Sequence, residues 1–189
     1  MKAVPEELSM LILAGGLSSR MGSDKCDLMY HGKTFLENQI EKGRRLGIRD
    51  ILVSGYRGES CSSRIIPDRH RQCGPLGGLE ASLREAQNKK CLVLGVDIPL
   101  VSVQELHRLL KASEDDTHAA ILLQHGERLE PLIGVYRTEL ADAMEQALLT
   151  GNGSIMSFLR KTGYGVYKSS ADEQYFENVN DRRAYARLL

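Results

Sequence analysis

The sequence lacks the features that mark several large classes of protein. Its 25 basic and 25 acidic side chains cancel, so the chain has no general attraction for nucleic acid or for an acidic membrane surface. No apolar stretch approaches the roughly 20 residues that a membrane-spanning helix needs. The N-terminal segment carries Glu6 and Glu7 and lacks the apolar core of a secretory signal. These absences predict a cytoplasmic protein with neither a nucleic-acid nor a membrane partner.

The cysteines also lack a pattern that would indicate a metal or a disulfide framework. The four of them form no C-x-x-C pair, and their spacings match no zinc template. Reduced thiols are therefore predicted, as is usual in the cytosol. Cys91 opens an apolar run, which favours a place in the core. Cys26 stands beside a charged loop, so its reactivity is left open but is not predicted.

A glycine-rich loop follows the first apolar run of the chain. Residues 10–13 are predicted to form a buried strand, which continues into the sequence LAGGLSSRMGSDK, ending at Lys25. Glycines let backbone N–H groups approach an anion closely, and Arg20 and Lys25 can neutralise its charge. The loop lacks both the Gly-Lys-Ser/Thr ending of a Walker motif and the G-x-G-x-x-G spacing of a dinucleotide fingerprint. It nevertheless predicts a phosphate-binding site.

Strands and helices are predicted to alternate along most of the 189 residues. The predicted strands are 10–13, 50–54, 64–66, 91–95, 119–123, 132–136 and 164–167. The predicted helices are 35–46 capped by Thr34, 79–87, one opened by a Ser102–Glu105 capping box, 138–149 capped by Thr138, 154–161 and one at the C-terminus. Several strands are continuous apolar runs, as in sheets buried on both faces. We therefore expect a single α/β domain over 1–189, a three-layer α/β/α sandwich with a Rossmann-like, mainly parallel sheet.

In such a sheet, ligands bind outside the carboxyl ends of the strands. The Gly15 loop, the glycine-rich turn from Asp68 to Gly78, and Asp97 would all lie at that edge. A phosphate loop with two cations suits a nucleoside triphosphate, which normally brings Mg²⁺, and Asp97 is the best candidate for its protein ligand. No nucleophile constellation is predicted, because the five histidines are expected in turns, in loops or on a helix surface: His31, His70, His107, His118 and His125. Phosphoryl or nucleotidyl transfer fits this set.

Further motifs extend the loop into a family pattern. They are Gly32-Lys33, GPLGGL from Gly74, GVDIPLV from Gly95, Glu130-Pro131 and NVND from Asn178. Together with the loop they resemble the molybdenum cofactor guanylyltransferases of the nucleotidyltransferase superfamily, over residues 11–181. The resemblance implies the nucleotide-diphospho-sugar transferase type of fold. It also implies transfer of GMP from GTP to the terminal phosphate of molybdenum-loaded molybdopterin, with release of pyrophosphate.

The resemblance also implies roles for individual residues on the nucleotide side. The residues expected to bind the nucleotide are Leu13, Ala14, Gly15, Gly16, Ser18, Gly22, Lys25, Ser54, Asp68 and Asp97. Within this set the start of the loop would contact the guanine nucleotide, the later glycines and Ser18 would surround the triphosphate with Arg20, and Asp68 would bind the nucleoside. Ser54 stands where the family often has an asparagine, and Asp27 adds a carboxylate near the loop. Both departures weaken the assignment of the base.

The remaining implied roles concern catalysis and the acceptor. Lys25, Arg20 and Asp97 are the expected catalytic residues, with Asp97 holding Mg²⁺ and Lys25 offsetting charge at the reacting phosphorus. Asn178 and Asn180 match asparagines that lie toward molybdopterin in the family, and Asp181 could stand near the metal. The resemblance further implies transient contact with proteins that deliver molybdopterin or with the molybdoenzymes that receive the product.

Two alternatives remain open from the sequence. One is a related nucleotidyltransferase that uses CTP with the same acceptor or acts on a sugar phosphate. The other is a nucleotide-binding regulator that has lost catalysis, although binding alone would not need Arg20, Lys25 and Asp97 together. A neutral chain without basic and aromatic clusters gives little support to a nucleic-acid binder.

Overall fold

The computed structural model describes residues 7–15, 24–58, 61–67, 69, 74–114, 117–151 and 153–189. Its strands are β1 (Leu8–Leu13), β2 (Met29–Tyr30), β3 (Lys33–Thr34), β4 (Asp50–Ser54), β5 (Arg64–Ile66), β6 (Lys90–Gly95), β7 (Ala120–His125), β8 (Arg128–Arg137) and β9 (Gly165–Lys168). Its α-helices are α1 (Phe35–Arg45), α2 (Gly74–Glu85), α3 (Val103–Ala112), α4 (Leu140–Leu149), α5 (Ile155–Thr162) and α6 (Arg182–Leu188).

Seven of the strands form one sheet, in the order β5-β4-β1-β6-β8-β7-β9. Four of its six neighbouring pairs are parallel, which confirms the expectation of a mainly parallel sheet. β8 runs antiparallel to both β6 and β7. The reversal follows from a two-residue hairpin after His125, with Gly126 at φ +53°, because so short a connection can join only antiparallel strands.

Helices cover both faces of this sheet, so the core has two parts. Met10 and Ile12 of β1 pack on one side with residues of α1 and α3. Leu11 and Leu13 face the other side, among residues of α2, α4 and α5. Since successive side chains of a strand point to opposite faces, a strand buried on both needs a nearly continuous apolar run; β1 is apolar except at the buried Ser9, whose hydroxyl donates to the Asp50 carboxylate. This confirms the three-layer architecture predicted from the continuous apolar runs.

Several predicted local signals are confirmed at their residues. Thr34 caps α1, and its hydroxyl and the Glu37 carboxylate form a reciprocal capping box with the backbone. The hydroxyls of Ser102 and Ser154 cap α3 and α5. His31 and Gly32, both at positive φ, form the turn of the small β2–β3 hairpin.

Several predicted boundaries and caps are wrong. The helix predicted from 79 begins at Gly74, because Pro75 and the glycines that predicted a turn fit its first turns. The strand predicted over 132–136 runs from 128 to 137, since its first residues pair with β7. Thr138 does not cap α4; its hydroxyl donates to the Lys89 carbonyl, and the cap position falls on Glu139 without a side-chain bond.

Candidate active site

The carboxyl ends of β1, β4 and β6 lie side by side at one edge of the sheet, and backbone hydrogen bonds continue between them. The Ala14 N–H donates to the Ser54 carbonyl at 2.8 Å, and the Val96 N–H donates to the Leu13 carbonyl at 3.0 Å. The loops after these strands therefore begin from a fixed platform. This is the edge at which the sequence predicts a ligand.

Three glycines allow the segments at this edge to approach closely. Gly55 has φ +80°, and a Cβ there would lie 2.4 Å from the Cα of Gly15. A Cβ on Gly78 would lie 2.6 Å from the Ser54 hydroxyl oxygen. Backbone therefore packs on backbone after β1 and β4, and α2 lies directly against the end of β4.

A polar cluster of Lys25, Asp97 and Asn180 lies at the same edge. The Lys25 ammonium is 3.0 Å from the Asp97 carboxylate and 2.5 Å from the Asn180 amide oxygen. The Lys25 and Asp97 side chains are only 17% and 18% exposed. The Val179 N–H fixes the third segment by donating to the Asp97 carbonyl at 2.8 Å. The structure thus brings together three residues that the sequence selects separately.

Helix α1 holds the Asp97 turn from behind through side chains that the sequence interpretation did not single out as functional. The fully buried Gln39 amide donates to the carbonyls of Gly95, at 3.0 Å, and Ile98, at 2.9 Å. Lys42 donates to the Pro99 carbonyl at 2.7 Å, and desolvation lowers the pKa of its ammonium to about 7. The sequence signal that could have identified Gln39 is the presence of a polar amide on the apolar face of a predicted helix.

The other predicted nucleotide-binding residues are distributed unevenly. Leu13, Ala14 and Ser54 are buried in the platform, and Gly15 is exposed. Five of the predicted residues lie outside the described ranges: Gly16, Ser18, Arg20, Gly22 and Asp68.

The predicted acceptor-side residues lie in the segment before α6. Asn180 bonds Lys25, as described, and Asn178 is half-buried two residues earlier. Asp181 caps α6 by accepting the Ala184 N–H at 2.8 Å, and its backbone hydrogen bonds lower the pKa of its carboxyl. The structure therefore gives Asp181 a capping role.

The thiols show no sign of an activated nucleophile among the described residues. Cys26 is fully buried, and its thiol donates to the Ala14 carbonyl at 3.6 Å. Burial raises the pKa of the Cys26 thiol, and Asp24 and Asp27 raise it further. Cys91 is buried as predicted, and Cys26, Cys61 and Cys91 are all free.

The prediction that His125 lies in a turn, in a loop or on a helix surface is wrong. Its side chain is 7% exposed, and its Nε2 lies 3.0 Å from the carboxylate of Glu130, which is also buried. The imidazole stacks on Phe176, with ring centroids 4.8 Å apart. The sequence interpretation ended β7 two residues too early, which placed His125 in a loop instead of at the end of a sheet strand.

The site fits a metal that is held mainly by substrate. Within the described ranges, no three or more His, Cys, Asp or Glu side chains form a group that could hold a metal ion. Asp97 supplies one carboxylate. The Asn180 amide oxygen lies near it, because the Lys25 ammonium bonds both groups. Mg²⁺ is commonly bound by one or two carboxylates together with waters and substrate phosphates, so this donor set suits it.

The described helices include none long and apolar enough to cross a bilayer.

Solved structures of the same architecture define the class of protein. A chain from Archaeoglobus fulgidus, described as molybdopterin-guanine dinucleotide biosynthesis protein A, aligns with a TM-score of 0.80 and 26% identity, covering 95% of this chain and 96% of that one. A CMP-2-keto-3-deoxy-manno-octonic acid synthetase aligns with a TM-score of 0.77 at 13% identity, which shows the shared fold alone. The fold and these likenesses are those of a nucleotidyltransferase enzyme.

Sequence relatives narrow the class. Residues 10–166 match the family model of the MobA-like NTP transferase domain. A molybdenum cofactor guanylyltransferase of Xanthomonas euvesicatoria is 42% identical, with 95% of this chain and 93% of that protein covered. A probable molybdenum cofactor guanylyltransferase of Carboxydothermus hydrogenoformans is 29% identical, with 97% and 96% covered. The chain belongs to the MobA-like NTP transferase family, which confirms the resemblance inferred from its motifs.

Proposed function

We propose that this enzyme transfers GMP from GTP to the terminal phosphate of molybdenum-loaded molybdopterin, forming molybdopterin guanine dinucleotide and pyrophosphate. The observation that carries the proposal is the contact of Lys25 with both Asp97 and Asn180. It joins the phosphate-loop end, the candidate metal ligand and the candidate acceptor segment. The names of the relatives supply the identity of the two substrates.

The reaction is an in-line displacement between two anions. An oxygen of the acceptor phosphate attacks the α-phosphorus of GTP, and the bond from that phosphorus to the β-phosphate oxygen breaks as pyrophosphate leaves. Lys25 reduces the repulsion between the reactants and stabilises charge on the transferring phosphoryl group. Asp97 would hold Mg²⁺, which supplies Lewis-acid stabilisation of that charge.

The remaining assignments follow the family pattern. Gly15 contacts the guanine nucleotide, and Gly16, Ser18, Arg20 and Gly22 surround the triphosphate. Asp68 binds the nucleoside, and Asn178 and Asn180 face molybdopterin. Leu13, Ala14 and Ser54 act mainly by fixing the platform, since each is at least nine-tenths buried.

A thermal-shift panel tests the nucleotide. GTP, CTP, ATP and UTP are each added with Mg²⁺, and the preferred ligand raises the melting temperature most, because it binds only the folded state. A preference for GTP supports the proposal, and a preference for CTP overturns it. Pyrophosphate release in the presence of GTP, Mg²⁺ and molybdopterin distinguishes an enzyme from a nucleotide-binding regulator. Turnover with a sugar phosphate in the absence of molybdopterin would indicate a sugar-phosphate nucleotidyltransferase.

Replacement of the candidate metal ligand tests the mechanism. Asp97→Ala should lower Mg²⁺-dependent turnover about 100-fold or more, because the carboxylate that holds the metal is lost. Turnover is measured by pyrophosphate release across a Mg²⁺ titration. Asp142→Ala is the control, since that carboxylate is 85% exposed on α4 and bonds Arg84. Near-normal turnover of Asp97→Ala would remove the metal assignment.

A further inference from the structure

A second pair of buried polar side chains lies beyond the polar cluster, on the β7–β8 hairpin. The side chains of His125 and Glu130 are 7% and 6% exposed and bond each other at 3.0 Å. The same Glu130 oxygen is 2.7 Å from the Arg128 guanidinium. Among the described residues, His125 Nδ1 is buried and has no hydrogen-bond partner. The orientation of the imidazole is therefore set by Glu130 and by what packs on the ring.

What packs on the ring is the segment that carries the candidate acceptor residues. Phe176 is fully buried and lies nearly parallel to the imidazole, with 20° between the ring planes. Three residues later, Val179 is buried and bonds the Asp97 backbone, and Asn180 follows with its bond to Lys25. One short piece of chain thus connects His125 to the polar cluster.

Open space borders this stack. A cavity of about 410 Å³ is lined by His125, Glu127, Arg128, Glu173, Phe176 and Glu177. On this side of the segment, Glu173 and Glu177 are exposed to open space instead of being packed against protein. The position of this part of the segment must therefore be fixed by contacts on its other sides. The stacking of Phe176 on the His125 ring is one of these contacts.

We infer that His125 is a positioning residue for the acceptor: held by Glu130, its ring fixes Phe176 and thereby the place of Asn180 beside Lys25. This inference rests on the proposed function, in which residues 178–180 face molybdopterin. It predicts that His125 affects use of the acceptor much more than use of GTP, because the stack leads along the chain to Asn180, whereas GTP is expected at the platform after β1 and β4.

Steady-state kinetics test this selectivity. His125→Ala should raise the KM for molybdopterin about tenfold and leave the KM for GTP within about twofold of wild type. His125→Phe restores a ring on Phe176 and should recover most of the acceptor KM, whereas His125→Gln restores a polar group without the ring and should not. Ile121→Ala is the matched control, since it truncates a buried side chain on the same strand and the same face of the sheet. Equal changes in both KM values, or recovery by Gln and not by Phe, would overturn the inference.

Hydrogen exchange supplies a readout that does not depend on activity. In His125→Ala, the Val179 amide should exchange faster, while amides of β1 and β6 stay protected; in Ile121→Ala, Val179 should not be singled out. An unchanged Val179 amide in a folded His125→Ala protein contradicts the inference. If the wild-type enzyme fails to transfer GMP, the proposed function fails, but exchange still decides whether His125 positions this segment.

Discussion

Gln39 shows how a single buried amide can determine the geometry of the turn that carries Asp97. Gln39→Met keeps the approximate volume but removes both donors to the Gly95 and Ile98 carbonyls. Leaving a buried carbonyl unpaired costs roughly 1–3 kcal/mol, so for the two carbonyls we expect a loss of unfolding free energy of roughly 2–6 kcal/mol, together with reduced turnover as Asp97 shifts. Urea denaturation and pyrophosphate release measure the two effects. Gln104→Met, at an exposed position of α3, should change neither.

Gly55 provides a test of the platform, because its backbone and its surroundings both require glycine. Gly55→Ala places a Cβ at φ +80° and 2.4 Å from the Gly15 Cα, so β1 and β4 must separate at the site. Gly47 has φ +82° and nothing within 4 Å, so Gly47→Ala incurs only the backbone strain, roughly 1–2 kcal/mol. We expect Gly55→Ala to lose clearly more stability than Gly47→Ala and to lose GTP-induced stabilisation. Equal losses in thermal unfolding would show that the close approach is unimportant.

At the scale of residues, the sequence identifies charged side chains better than it identifies their support. Lys25, Asp97 and Asn180 are identified from the sequence because each lies within a recognisable motif, and the structure brings them together. Gln39 and His125 were missed because their importance arises from tertiary contacts with turns far away in the chain. A helix or strand pattern shows which face such a residue occupies, but it does not show which carbonyl or ring it meets.

Among the elements, α1 matters because it carries Gln39 and begins beside the β2–β3 hairpin. Thr34→Ala removes the hydroxyl that caps its first turn and should lower the unfolding free energy by about 1 kcal/mol at pH 7, whereas Thr34→Ser should stay close to wild type.

The other half of this capping box depends on pH. The Thr34 backbone N–H lowers the pKa of the Glu37 carboxyl, so the contribution of its charge is present above the ordinary pKa and is lost as the pH falls through the lowered value. Urea denaturation of wild type and Glu37→Gln should therefore differ near pH 6 and converge as the pH falls below 4. A constant difference would show that the charge makes no contribution.

Element types could be predicted from the sequence more reliably than element ends. Each predicted sheet strand forms, and the central ones are continuous apolar runs bounded by turns, which suit a sheet covered on both faces. The errors come from residues that have two uses. Pro75 and its neighbouring glycines suit a turn or the first turn of a helix, and the polar start of β8 resembles a loop until β7 supplies its hydrogen bonds.

On the scale of the whole molecule, the site is assembled from segments far apart in the chain. Lys25 contacts Asp97, 72 residues later, and Asn180, 155 residues later. The contact between Lys25 and Asp97 could be predicted, because both residues follow parallel strands whose carboxyl ends share one edge of the sheet. The contact between Lys25 and Asn180 depends on how the C-terminal segment crosses that edge. The burial of Phe176 and Val179 determines this path.

Truncation separates the two contributions of that segment. A chain ending at Ser170 loses Phe176 and Val179 from the core, each contributing roughly 1.5–3 kcal/mol, and loses the Asn180 contact with Lys25. We expect a lower melting temperature and no transfer to molybdopterin, but continued stabilisation by GTP, because the β1 platform and α2 remain. A chain ending at Leu188 is the control, since it removes only Leu189, which is 79% exposed. If the shorter chain stays folded by circular dichroism yet no longer responds to GTP, the C-terminal segment belongs to the nucleotide site and not to the acceptor site alone.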